Sequence, residues 1–362
     1  MELRTLIEHI KHEIKSELDE TTVRKNNRTM NEILNDMNDK FTITKDVFEK
    51  WMTIDDDKIP ITSSQINGKS TYDNVRYLKD NVLHLGQLKL LVSEICFLTK
   101  FMHMKNILVV YVGGAEGYHI KKLAELFPNM YFELYDACKF SITETDNIKI
   151  FNRYFTDVDA NNYKKSARNI LFISDIRNHP MKDVKDVGID SDVEKNVVND
   201  MEMQEKWVRI IEPYASSLKF RLPYEFEKSY RYLDGYRMLQ PYAPFSTEVR
   251  LFTIYKNSKT GYNKCMRVID KNVIYDCVVF DEKMAYFNSQ IRNTNFHRWK
   301  EQFMMGHIAN NWDNTVTFYI LQEYLKKSCD IIDDDMVSQL FIEIVDYLGE
   351  RYGRKYNYIF CK

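Results

Sequence analysis

From Gln87 to Tyr255 short runs rich in β-branched and aromatic residues alternate with longer stretches whose apolar positions recur at helical spacing. The runs predict strands at Ile107 to Val112, Met130 to Tyr135, Ile148 to Phe151, Asn169 to Ser174, Ser217 to Arg221 and Val249 to Tyr255. The stretches predict helices over about Gln87 to Met102, near His119 to Leu126 and from Asp192 to Ile211. Such alternation is the pattern of a parallel sheet with crossover helices, an α/β doubly wound core whose ligands lie beyond the carboxyl ends of the strands.

The two ends read differently. Leu3, Leu6, Ile7, Ile10, Ile14 and Leu18 fall at helical spacing, and an Asn-rich stretch, the acidic run at 55 to 57 and a Ser/Asn/Gly segment around Ser63 to Ser70 follow. After about Asn257 the alternation fades, and helices are expected over Asp281 to Asn293, Trp312 to Lys327 and Asp335 to Tyr356. The expected division is a helical extension and linker over 1–80, a core over 81–296 and a helical extension over 297–362.

Composition then excludes several classes. At 362 residues and 44% hydrophobic content the chain can bury a sizeable interior. The opening MELRTLIEHIKHEIK is a charged amphipathic helix and not a signal peptide, and no apolar stretch approaches the roughly 20 residues that cross a bilayer, so no membrane contact is expected. Six scattered cysteines, with no CxxC pair and no Cys/His grouping at ligand spacing, argue for a reduced compartment and against a metal site. With 51 basic and 53 acidic side chains, any contact with nucleic acid must come from a local groove.

Two features carry candidate chemistry. The first is YVGGAEG, a glycine turn between a strand and a helix, where small residues let the backbone approach a ligand at a helix N-terminus. By spacing it is neither GxGxxG nor a phosphate loop, and a turn needed only for packing is an alternative. Asp136, at the end of the next strand, is placed to accept from both ribose hydroxyls of an adenosine-type ligand.

The second feature is a set of four polar residues, each inside an apolar run: Lys89 in GQLKLL, Asp175 in LFISDIR, Lys219 in ASSLKFR and Glu248 in STEVRLF. An ammonium buried mid-strand at Lys219 would need partners or lose its proton, and a neutral lysine is a base. Such a base suits removal of a hydroxyl proton during in-line attack on an electrophilic carbon. Taken singly each residue has an ordinary reading: a snorkelling lysine, a turn cap, a lysine on a half-exposed sheet and a solvated strand-end glutamate.

In order along the chain, GQLKLLVSEICFLTK, VVYVGGAEGYHI, ILFISDIR, PYASSLKFRLPY and MLQPYAPFSTEVRLFTIY closely resemble the poxvirus-type mRNA cap-specific nucleoside 2′-O-methyltransferases. In poxviruses members of that family are also the small, stimulatory subunit of the poly(A) polymerase. The resemblance covers about Leu85 to Asn293. It implies a Rossmann-like S-adenosylmethionine-dependent methyltransferase fold with helical N- and C-terminal extensions. It implies transfer of a methyl group to the ribose 2′-hydroxyl of the first transcribed nucleotide of capped mRNA, with Lys219 as general base and Lys89, Asp175 and Glu248 around it.

The resemblance further implies an S-adenosylmethionine pocket, with S-adenosylhomocysteine as product, built from Gln87, Tyr111, Gly113, Gly117, His119, Asp136 and Arg177. It implies contacts to the cap guanine from Tyr224, Glu225, Phe245 and Asp281, with Tyr72 a candidate for a further aromatic wall. Glu116 stands where the family has a proline, and the ACK after Asp136 leaves Lys139 as the substitute for a basic contact. The alternative role is a non-catalytic RNA-binding subunit that stimulates a poly(A) polymerase catalytic subunit, and the two can coexist. A large DNA virus acting in the host cytoplasm is the implied setting.

Overall fold

The computed structural model describes residues 86–177, 191–224, 228–243, 246–255, 267–269, 272–288, 304–305, 308–309, 312–329 and 334–352. Five strands, β1 (Ile107–Val112), β2 (Met130–Tyr135), β3 (Ile148–Phe151), β4 (Asn169–Ser174) and β5 (Ala215–Phe220), pair in parallel in the order β3-β2-β1-β4-β5. The chain winds outward from β1 to β3, then returns to β1's other side with β4. That reversal opens a crevice at the carboxyl ends of β1 and β4, the site rule of doubly wound, Rossmann-like sheets.

β6 (Ser229–Leu233) leaves the sheet and pairs with β10 (Asn272–Asp276), while β7 (Tyr236–Met238), β8 (Val249–Tyr255) and β9 (Arg267–Ile269) extend it. β8 runs antiparallel to β5. Its beginning therefore lies at the pole where the parallel strands end, which carries Glu248 to the crevice. β11 (Met304–Met305) and β12 (Ile308–Ala309) form a separate two-stranded sheet.

Helices cover both faces. α1 (Gly86–Thr99) and α2 (Tyr118–Leu126) lie on the face to which Tyr111 points. α3 (Asp157–Lys164) and α4 (Ser191–Ile211) lie on the other, where Phe155 meets both Phe172 and Trp207. α3 begins with a capping box in which Thr156 and Asp159 satisfy each other's backbone N–H groups.

After α5 (Cys277–Tyr286), α6 (Trp312–Cys329) and α7 (Asp334–Tyr352) pack on the core. Lys327 Nζ donates to Thr99 O at the end of α1, Tyr324 donates to Leu126 O at the end of α2, and Tyr347 donates to Tyr118 O while stacking on its ring. The first two supply partners to carbonyls that a helix terminus leaves open. Among the described residues no helix is long and apolar enough to cross a membrane.

The predicted elements differ from the observed ones mostly at their ends. The strand expected over Ser217 to Arg221 lies two residues earlier at its start, and α5 begins ahead of the expected 281, where the Asp276 side chain accepts from Val279 N at 2.9 Å. The expected N-terminal helix lies outside the described residues.

Candidate active site

The crevice floor is the turn after β1. Gly113 and Gly117 sit at φ of +83° and +82°, the left-handed region that favours glycine. A Cβ at Gly113 would come within 2.7 Å of Ile176 N, so turn and β4 end touch through backbone alone. Asp136, at the end of β2, accepts from Ala115 N at 3.0 Å and Cys138 N at 2.8 Å. It thereby fastens the turn, and each carboxylate oxygen keeps a further acceptor direction. Glu116 and Lys139 are exposed.

Three elements and the β4 end bring the four polar residues together. Lys89 Nζ lies 2.8 Å from Glu248 Oε1, and Lys219 Nζ lies 3.0 Å from Asp175 Oδ1 and 3.7 Å from Glu248 Oε2. The Lys219 side chain is only 14% exposed and that of Glu248 4%. Arg177, expected beside the cofactor, places its guanidinium 2.6 Å from Glu248 Oε2.

Arg250 is the residue that the sequence reading missed. It stands directly opposite Lys219 in the β5–β8 register, is 2% exposed, donates to Ser174 O at 3.1 Å and pairs with Asp175 Oδ1. Two cations facing each other across a strand pair repel. Asp175 between them turns that repulsion into a shared ion pair. The available signal was alternation: Glu248 and Arg250, two apart, share one face of a buried strand.

Four cations (Lys89, Arg177, Lys219, Arg250) thus meet two carboxylates (Asp175, Glu248). Burial alone would raise both acids, but Lys219 with Arg250 holds Asp175 at about 2, and Lys219 with Lys89 holds Glu248 well below the carboxylate range. Burial drives the Lys219 amine below the usual lysine range, Asp175 and Glu248 offset part of that, and Arg177 and Lys89 add to it. Surplus positive charge in a dry site is what makes a lysine surrender its proton.

The remaining expected residues form two groups. Gln87, Tyr111 and His119 share a hydrogen-bonded chain on the α1 side of the turn. Tyr224 hydrogen-bonds Thr247, lies 4.4 Å beneath the Arg221 guanidinium, and gives its N–H to Glu194 at 2.7 Å. Asp281 is beside them, since Arg221 and Glu194 both act on its carboxyl. Glu225, Phe245 and Tyr72 lie outside the described residues. Among the described residues no group of His, Cys, Asp and Glu is placed to hold a metal ion.

A family model described as poly A polymerase regulatory subunit matches residues 57–340. A fowlpox virus (strain NVSL) protein, the cap-specific mRNA (nucleoside-2'-O-)-methyltransferase, is 30% identical over 257 residues, 66% of this chain and 76% of that protein. The protein of the same description from myxoma virus (strain Lausanne) is 29% identical over 224 residues, 58% of this chain and 62% of that protein. Among solved structures, human methyltransferase-like protein 13 in complex with SAH aligns at a TM-score of 0.31 and 11% identity, over 55% of this chain and 88% of that one.

Proposed function

Because the chain belongs to the poly A polymerase regulatory subunit family, we propose that it methylates the ribose 2′-hydroxyl of the first transcribed nucleotide of capped mRNA, using S-adenosylmethionine and Lys219 as the general base. The relatives' names supply the reaction class. The observation that carries the reading is the Lys219 amine, whose side chain is mostly shielded and which lies 3.0 Å from Asp175 at the pole where the parallel strands end.

The residues present suit a nucleoside-bearing methyl donor. Gly113 and Gly117 let the turn close on the β4 end and on Phe140 and Ile142, the α2 N-terminus follows, and Asp136 stands at the β2 end with acceptor directions to spare. Gln87, Tyr111, Gly113, Gly117, His119, Asp136 and Arg177 would hold the donor, Arg177 being itself held by Glu248. When bound, S-adenosylmethionine supplies a methyl carbon activated by a sulfonium.

This chain's residues do the rest. Lys219 takes the hydroxyl proton, and the carboxylates of Asp175 and Glu248 keep the resulting ammonium in place and stabilised. Lys89 and Arg250 hold those carboxylates ionised and aimed, so no reorganisation is needed when charge develops. The site's positive surplus also favours an approaching phosphate backbone. The same reading places the reaction in the cytoplasm of an infected cell.

Incubation with label in the donor methyl group and RNA carrying a cap should label the ribose of the first transcribed nucleotide. Binding of donor without any ribose label would end the reading.

The family description favours a second, compatible role as a stimulatory subunit of a poly(A) polymerase. Processive tail extension by the polymerase catalytic subunit, measured with and without this chain, tests it independently. A K219A protein should stimulate as well as the native one.

A further inference from the structure

α4 turns an apolar stripe inward: Val197, Met201, Val208 and Ile211 recur at helical spacing and all are buried. Gln204 interrupts that stripe and is itself only 1% exposed. An amide taken this far from water needs hydrogen bonds inside the protein.

It finds both of them on one residue. Gln204 Nε2 donates to Lys219 O at 3.0 Å, and Gln204 Oε1 accepts from Lys219 N at 3.2 Å. A backbone N–H only donates and a carbonyl oxygen only accepts, so the two contacts fix which way the amide faces. No ionisable group takes part.

The place along β5 explains the contact. β4 pairs with β5 as far as Ser174 opposite Leu218, one residue short of Lys219, and the chain then carries Asp175 into the crevice. β8 continues alongside, with Arg250 opposite Lys219. At Lys219 the strand ladder therefore runs on the β8 side alone, and the Gln204 amide supplies one donor and one acceptor where the β4 ladder has stopped.

A lysine reaches its target through a flexible four-carbon stem, so the volume its amine can sample depends on how the backbone aims that stem. Asp175 and Glu248 hold the far end, 3.0 and 3.7 Å from Nζ. They grip an ammonium more firmly than the neutral amine that must receive the proton, because hydrogen bonds between ionised partners are the stronger ones. A clamp on the main chain does not change with the charge of the amine.

We infer that Gln204 is a positioning residue: from α4 it clamps the Lys219 main chain and so keeps the amine aimed at the hydroxyl while that amine is uncharged. The inference rests on the reading of Lys219 as the general base.

The test compares steady-state methyl transfer and chemical denaturation for the full chain and two variants. Gln204→Met keeps the length and fills the stripe but makes neither bond. It should lower kcat about tenfold or more, with KM for capped RNA and affinity for S-adenosylhomocysteine within about threefold of native. Val208→Ala trims a buried side chain one turn further along the same stripe. It should lower the denaturation midpoint while kcat stays within about twofold of native. Should Q204M not fold, Gln204→Asn keeps an amide that is one methylene too short to span both backbone groups, and it should lower kcat about fivefold.

A foldable Gln204 variant with kcat within about twofold of native would reduce Gln204 to a structural residue. So would a V208A protein that loses kcat to the same extent, or a loss in Q204M shared equally by kcat and donor affinity. Each of these leaves the reaction intact. Native protein that labels no ribose, or K219A protein that turns over like the native one, would instead overturn the general-base reading and the inference with it.

Discussion

Asp175 and Asp281 are acids of the same kind in neighbouring parts of one pole, and burial pushes both upward. Lys219 and Arg250 bring Asp175 down to about 2, whereas Asp281 stays raised at about 7 because Arg221 only partly offsets burial and Glu194 adds to it. The contacts explain the divergence. Asp175 Oδ1 touches two cations, while Asp281 Oδ1 is buried with no hydrogen-bond partner among the described residues. One cluster is electrostatically complete before any substrate arrives; the other lacks a donor. Under the proposed function the complete cluster performs chemistry and the incomplete one receives the cap, whose cationic methylated guanine would supply what Asp281 lacks.

The largest effect should come from emptying the complete cluster of its base. Lys219→Ala should lower kcat for methyl transfer by about 10³-fold or more, the scale of general-base catalysis, with S-adenosylhomocysteine affinity held within about threefold. The fold should survive, since Asp175 keeps Arg250, and Glu248 keeps Lys89 and Arg177. A K219A protein with more than about a tenth of native turnover would remove the lysine from the proton transfer.

Next comes Arg250→Met, which keeps side-chain bulk and takes away one of the two cations on Asp175. Breaking a buried ion pair by deleting one partner costs about 3 to 5 kcal/mol, and the remaining Lys219 contact argues for the lower end. Chemical denaturation midpoints should drop accordingly, with an unchanged slope. A loss below about 1 kcal/mol would mean that the two carboxylates do not depend on Arg250 for their ionisation.

What the sequence disclosed follows the same physics. The parallel core was legible because its strands are unbroken apolar runs, and Lys89, Asp175, Lys219 and Glu248 stood out because charge inside such a run is expensive. Arg250 carries that very signal, in EVRLF, yet a second charge near an already noticed one is easily read as its surface companion. α3 went unseen because DVDANNYK has almost no apolar face; its mark is the Thr156–Asp159 capping box. The β6–β10 ribbon joins segments about forty residues apart, and no local pattern announces such a pair. Proximity of Asp281 to Arg221 and Glu194 depends on that same long-range ribbon leading into α5.

The smallest effect tests the incomplete cluster through stability. An unfolded chain loses the Asp281 proton near pH 4, whereas the folded protein holds it to about pH 7. Folded stability contributed by this group is therefore full below pH 4 and is lost progressively as pH rises toward 7, because the native state must then bury an ionised carboxylate. Asp281→Asn keeps the shape and cannot ionise, so its benefit should grow with pH. Linkage allows roughly 2 kcal/mol between pH 5.5 and pH 8, which partial exposure of the side chain reduces to about 1 kcal/mol. Thermal melts should show D281N near native at pH 5.5 and about 1 to 2 °C above native at pH 8. A pH-independent difference would place Asp281 with Asp175 among the already paired acids, and the contrast between the two clusters would disappear.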